Sequence, residues 1–111
     1  MANFEVNWKE KIAVISILDD ITVESSPLLE ASWNEVIDKK PEVLALNLKA
    51  VAHIDSMGIS HLVRLSRTCI INEVELVLFN LNAHIIGLFK MAGLEKYLNI
   101  LTQDLFESRY F

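Results

Sequence analysis

The sequence predicts an α/β fold, a largely parallel sheet with helices packed against it. Three observations lead there. Strand-like and helix-like hydrophobic periods alternate along most of the chain. The run Val43–Leu48 is almost continuously apolar, as expected of a strand covered on both faces. Two strand patterns at the start are separated only by Lys9-Glu10-Lys11, which implies one antiparallel hairpin before the alternation begins.

In chain order, Phe4, Val6 and Trp8 alternate with Glu5, Asn7 and Lys9, a period of two. Ile12–Leu18 reads as a second, more buried strand, and Asp19–Glu24 as a polar connector. Ser25-Ser26-Pro27 is a helix start in which Ser26 can cap and Pro27 loses no useful N–H. Leu29, Trp33, Val36 and Ile37 then form one helical face, and Pro41 closes the segment. After Val43–Leu48, a helix from about Met57 is expected to turn Ile59, Leu62, Val63, Ser66, Cys69 and Ile70 to the core. His61, Arg64 and Thr68 fall on another face, and Asn72-Glu73 ends the helix.

Val74–Phe79 is a further buried strand. Asn80 or Asn82 can cap the next helix, which carries Ile85, Leu88, Phe89 and Ala92, and Gly93 suits the left-handed position that ends it. Tyr97–Leu101 reads as a short last strand and Gln103–Tyr110 as a last helix. The 111 residues suit one domain, and 52% hydrophobic composition is enough for a core without staples. In parallel sheets, ligands and interaction loops gather at the carboxyl ends of strands. Asp55-Ser56 lies just beyond such an end.

Composition and motifs narrow the function. A net charge of -5 disfavours both nucleic acid and anionic membrane surfaces. The single Cys69 allows no intrachain disulfide and is compatible with a reducing compartment. No signal peptide and no transmembrane run are visible, so a cytoplasmic domain is expected. The three isolated glycines, Gly58, Gly87 and Gly93, form no phosphate-cradling loop. No Gly-x-Ser-x-Gly elbow surrounds Ser56, and His53, His61 and His84 are too scattered for a zinc site. His53 is near enough to Ser56 to suggest a dyad, but an Asp between them gives no oxyanion hole. The expectation is that the chain is not an enzyme.

Asp55-Ser56-Met57-Gly58-Ile59, following an apolar strand, resembles the signature of the STAS family. That family comprises anti-sigma factor antagonists and related domains of sulfate transporters. The likeness extends over most of the chain, through Val43–Leu48, the lead-in Val51-Ala52-His53-Ile54 and the later Met91-Ala92-Gly93-Leu94. It implies a single STAS domain, 1–111, with a mixed sheet of four or five strands flanked by about four helices. In the antagonist branch the Ser after the motif Asp is phosphorylated by a partner kinase, which here is Ser56. Three departures stand out. Met57 occupies a position usually Ser, Thr or Ala. Asp19 stands where many members have Gly. Asn72 or Glu73 replaces the Gly before the fourth strand.

The resemblance implies partner switching. The unphosphorylated chain binds an anti-sigma factor that is also an ATP-dependent serine kinase, which frees the sigma factor. Phosphorylation of Ser56 ends that binding, and a metal-dependent serine phosphatase resets it. ATP and metal belong to the partners, so no cofactor is expected for this chain, and it is expected to be a monomer or weak dimer. The expected binding surface comprises Asp55, Ser56, Met57, Gly58, Ser60, His61 and Arg64, with the Asp19–Glu24 loop. Ser56 also has a plain role open to it, as N-cap of its helix. A second reading is a non-switching scaffold subunit of a larger signalling or lipid-transport assembly.

Overall fold

The computed structural model describes residues 4–96 and 98–111. Met1–Asn3, read above for a leader, and Tyr97, read as the start of the last strand, lie outside the described residues. The order is β1 (Phe4–Lys9), β2 (Ile12–Ile17), α1 (Ser26–Asp38), β3 (Val43–Asn47), α2 (Ser56–Ile71), β4 (Glu75–Phe79) and α3 (Ala83–Met91). A 3₁₀ turn (Leu94–Lys96), β5 (Asn99–Leu101) and α4 (Gln103–Tyr110) follow. The five strands form one sheet in sequence order. β1 pairs antiparallel with β2, and every later pairing is parallel. The mixed α/β sheet with four helices is therefore present.

Alternation along each strand sorts side chains between two cores. Ala13, Ile15, Ile17, Leu44, Leu46 and Leu78 meet Leu29 and Trp33 of α1, Leu62 and Cys69 of α2, and Phe89 of α3 on the front face. Val43, Ala45, Val77 and Phe79 meet Phe106 of α4 on the back. The Phe106 ring stacks on Phe79 with centroids 4.1 Å apart and planes 10° from parallel. β3, the middle strand, is buried at Val43, Leu44, Ala45 and Leu46, as its unbroken apolar run requires.

Several details differ from expectation. The hairpin turns without Asn-Gly because Glu10 itself takes a left-handed conformation, φ 55°. Ser26 does not cap α1. Ser25 holds the cap position, and the Ser26 hydroxyl instead donates to Thr22 O at 2.6 Å. Asn82, not Asn80, caps α3, accepting from Ile85 N at 2.8 Å. In α2 the inward face is Leu62, Leu65, Ser66 and Cys69, whereas Ile70 is 72% exposed. Ala92 is exposed at the end of α3, and Gly93 adopts the expected left-handed φ of 72°. No described helix is long and apolar enough to cross a membrane.

Candidate functional site

The site is built where three loops meet at the carboxyl ends of β2, β3 and β4. Leaving β2, the chain buries Ile21 completely, although its neighbours are polar. Ile21 forms a parallel bridge with Ile54: Ile21 N donates to His53 O and Asp55 N donates to Ile21 O, both at 3.2 Å. One carboxylate oxygen of Asp20 accepts from Ala52 N at 3.1 Å and His53 N at 3.0 Å. Asn82, from the loop after β4, donates to the carbonyls of Val51 and Ala52 at 3.3 Å each. The segment leading to Ser56 is thus clamped from both sides by side chains bonding to its backbone.

Asp55 closes the clamp. Its Oδ1 accepts from Gly58 N at 2.8 Å, which makes Asp55 the N-cap of α2. Its Oδ2 accepts from Val23 N at 3.1 Å, 32 residues away in sequence. Gly58 lets this happen. A Cβ there would stand 2.4 Å from Ile21 O and 2.9 Å from the Cγ2 atoms of Ile21 and Ile54. Only a residue without a side chain allows the first turn of α2 to rest on the β2–α1 loop.

Ser56 is the first residue of α2 and is exposed. The plain capping role open to it falls to Asp55. Among the described residues the Ser56 hydroxyl makes no hydrogen bond, while its carbonyl accepts from Ser60 Oγ at 3.1 Å. Met57 is 46% exposed and Val23 is 56% exposed, which gives the serine an apolar rim. Gly58 is buried, so it shapes the surface rather than forming it.

The remaining expected surface residues divide. Arg64 keeps 61% of its side chain exposed while its Nη1 lies 3.2 Å from both oxygens of Glu30 on α1. The His61 side chain is only 12% exposed. Its Nδ1 approaches Glu30 Oε2 at 2.6 Å, off the line of a true N–H bond, and its ring packs near Trp33. His61 therefore helps join α2 to α1. His53 packs edge-on to His84 with centroids 6.1 Å apart, and no hydrogen bond links it to Ser56 among the described residues. Cys69 is buried, and burial pushes its thiol up to about 12.

Sequence reasoning placed the Asp19–Glu24 loop at this surface but not the individual roles of Asp20, Ile21 and Val23, and it missed Glu30 and Asn82 as parts of the site. An isoleucine set between Asp20 and Thr22, in a connector read as polar, was the available signal for Ile21. Asp20 and Asn82 carry no local signal, because their backbone partners lie about thirty residues away.

Three solved structures show the same fold. An anti-sigma factor antagonist from Mycobacterium paratuberculosis is 20% identical, with a TM-score of 0.80 over 90% of this chain and 85% of that one. The Bacillus cell fate determinant SpoIIAA, in its phosphorylated form, is 15% identical, with a TM-score of 0.75 over 98% of this chain and 100% of that one. A sulfate transporter family protein from Wolinella succinogenes is 19% identical, with a TM-score of 0.77 over 88% of this chain and 83% of that one. No curated protein matches in sequence. The family model described as STAS domain matches residues 3–108, nearly the whole length. On that match, with the clamped Asp55-Ser56 loop at the head of α2, the chain belongs to the STAS domain family.

Proposed function

We propose that this chain is an anti-sigma factor antagonist that works by partner switching at Ser56. The observation that carries the proposal is an exposed serine, free of the capping role, at the first position of a helix whose start is rigidly held. A kinase can take this hydroxyl without breaking a bond the fold needs. Fold similarity to an anti-sigma factor antagonist supports an anti-sigma factor as the class of partner, and in this reading that partner would also be an ATP-dependent serine kinase. A metal-dependent serine phosphatase would complete the cycle, and the exchange belongs in the cytoplasm.

The energetics favour a surface switch over a folding switch. A phosphate adds about -1.5 to -2 charges at neutral pH. The start of α2 favours this charge by roughly 0.3–1 kcal/mol. The Asp55 carboxylate opposes it by about 3 kcal/mol per unit charge at a separation of ~6 Å and an effective dielectric of ~20, before screening. For the whole phosphate charge the two leave about 3–5 kcal/mol of opposition before screening, and because Asp55 and Ser56 are both exposed, water and salt reduce it well below the ~5–15 kcal/mol stability of an ordinary domain. At an interface the same charge would meet the apolar rim of Val23 and Met57. Burying an unmatched charge there costs about 2–5 kcal/mol, or roughly 30- to several-thousand-fold in affinity. Asp55, Met57, Ser60 and Arg64 would touch the partner, with Gly58 and His61 holding the surface in shape.

Intact-mass measurement after incubation with the cognate kinase and ATP tests the reading. Wild type should gain one phosphate and Ser56→Ala none. Ser56→Asp should melt like wild type yet bind the kinase at least about 30-fold more weakly. Labelling of Ser56→Ala at the wild-type stoichiometry would refute the switch. Full partner binding by Ser56→Asp would point instead to the non-switching scaffold, a reading favoured by the likeness to the sulfate transporter family protein.

A further inference from the structure

β1 is an outer strand of the sheet, so one row of its backbone N–H and C=O groups faces outward. Its front side is apolar and only half covered: Val6 is 37% exposed and Trp8 is 40% exposed. With Leu28 and Val36 of α1 they line a groove of about 320 Å³. Leu28, on the far wall, is itself 50% exposed. Glu5, Asn7 and Lys9 alternate with these residues and point to the back, where Lys9 Nζ lies 4.5 Å from the Phe111 ring centroid.

We infer that this edge binds a second copy of the same chain, β1 against β1, antiparallel about a two-fold axis at Asn7. The argument is self-complementarity. In an antiparallel pair centred on Asn7, each Glu5 stands opposite the other copy's Lys9, and each Val6 stands opposite the other copy's Trp8. Opposite charges, and aromatic with branched side chains, are the favourable cross-strand pairs. Both occur twice, as a two-fold axis demands. A slip of one residue sets front side chains against back ones, and a slip of two separates both ion pairs. Glu10, left-handed in the hairpin turn, ends the pairing just past Lys9. A foreign strand would need only the open edge. The matched charges and the matched Val6–Trp8 steps suit this chain's own sequence.

The two-fold axis runs normal to the sheet. It keeps α1 of both copies on the front, so the two grooves merge around the paired Trp8 and Val6 side chains. It also sends the two β3 strands in opposite directions. The two Ser56 surfaces therefore face away from each other, and each remains open. One short strand makes a small interface, of the weak and reversible class.

Sedimentation from about 1 μM to about 1 mM covers the affinities expected of such a contact. Wild type should pass from monomer to dimer, and Trp8 emission should shift to the blue while Trp33, already 1% exposed, stays constant. Glu5→Lys and Lys9→Glu should each weaken the dimer about tenfold or more, and the double exchange should restore it. Circular dichroism confirms that each variant is folded. Asn7→Cys places two thiols on the axis, at the ~4.5–5.5 Å Cα spacing of an antiparallel pair, within disulfide reach. With oxidised glutathione as electron acceptor it should crosslink to a dimer, whereas Glu5→Cys alone should not. Cys69, buried, does not interfere. A monomer at every concentration overturns the inference. So does crosslinking of Glu5→Cys as efficient as that of Asn7→Cys, or a dimer indifferent to both charge reversals. None of these readouts depends on Ser56, so the partner switch stands or falls separately.

Discussion

One added methyl group separates Gly58 from Gly87. At Gly58 it would press on the backbone oxygen of Ile21, 2.4 Å away, whereas at Gly87 it would meet nothing within 4 Å. Gly58→Ala is expected to lower the unfolding free energy by about 1–3 kcal/mol, as overpacking does. Gly87→Ala, inside α3, is expected to raise it by about 0.5–1 kcal/mol. Urea unfolding of both variants measures the contrast, and equal effects would remove Ile21 as the reason for Gly58. The sequence shows both glycines but not this difference, because Ile21 and Gly58 meet only through the fold. Cys69 was more legible, since its helical spacing turns it inward. Burial holds its thiol protonated to about 12, while the unfolded chain releases that proton near 9.0. The folded form then carries the extra proton, so this contribution to stability is whole below pH 9.0 and is lost as pH rises through that interval. Burial and the hydrogen bond to Glu75 raise the Tyr110 hydroxyl in the same direction. Urea midpoints should therefore fall on the alkaline side, with a shallower fall in Cys69→Ala.

Elements were placed more reliably than their edges. Helix α2 carries apolar residues at Ile59, Leu62, Val63, Leu65, Cys69, Ile70 and Ile71, which cover more than half its circumference. Periodicity then locates the centre of the buried face but not its borders. Leu65 is fully buried, while Ile70 and Ile71 are 72% and 80% exposed. The exit from α2 shows the opposite case, a position legible as unusual before its geometry was known. Glu73 takes φ 58°, with Glu73 N donating to Ile70 O and Val74 N donating to Cys69 O. The left-handed conformation costs an ordinary residue roughly 1–2 kcal/mol and a glycine almost nothing. Of the two residues standing near the family's usual glycine, Glu73 is therefore the one that bears the strain. Glu73→Gly should stabilise the protein by about 0.5–1 kcal/mol, the relief being partly offset by the entropy of the added glycine. Thermal melting decides it, and a lower melting temperature would show that the Glu73 side chain contributes more than its backbone costs.

At the scale of the molecule, the sheet divides labour between its faces. α1, α2 and α3 build the front core, and the Ser56 surface rises from the front at the carboxyl ends of the strands. The back core rests on α4, which supplies Phe106, 1% exposed and stacked on Phe79. Cover on both faces was legible because the run Val43–Leu48 is almost unbroken in its apolar character, whereas nothing in the sequence assigned Gln103–Tyr110, read only as a last helix, to the back face. The loop clamp was not legible, because it consists of side chains reaching backbone groups about thirty residues away, which no local period records. If the faces are as separate as this packing implies, damage to the back should cost stability without altering the site. Phe106→Ala is expected to lower the unfolding free energy by about 3–5 kcal/mol, as deletion of a buried aromatic ring does. Amide resonances of Val77 and Phe79 should shift strongly in the folded variant. Those of Ala52–Gly58 should stay in place, because their positions are set by Asp20, Ile21 and Asn82 from the front. The variant should also take phosphate on Ser56 at the wild-type rate under conditions where it remains folded. Equal shifts in both regions would mean that the two cores respond as one body and that the rigidity of the Ser56 loop depends on α4 as much as on its own clamp.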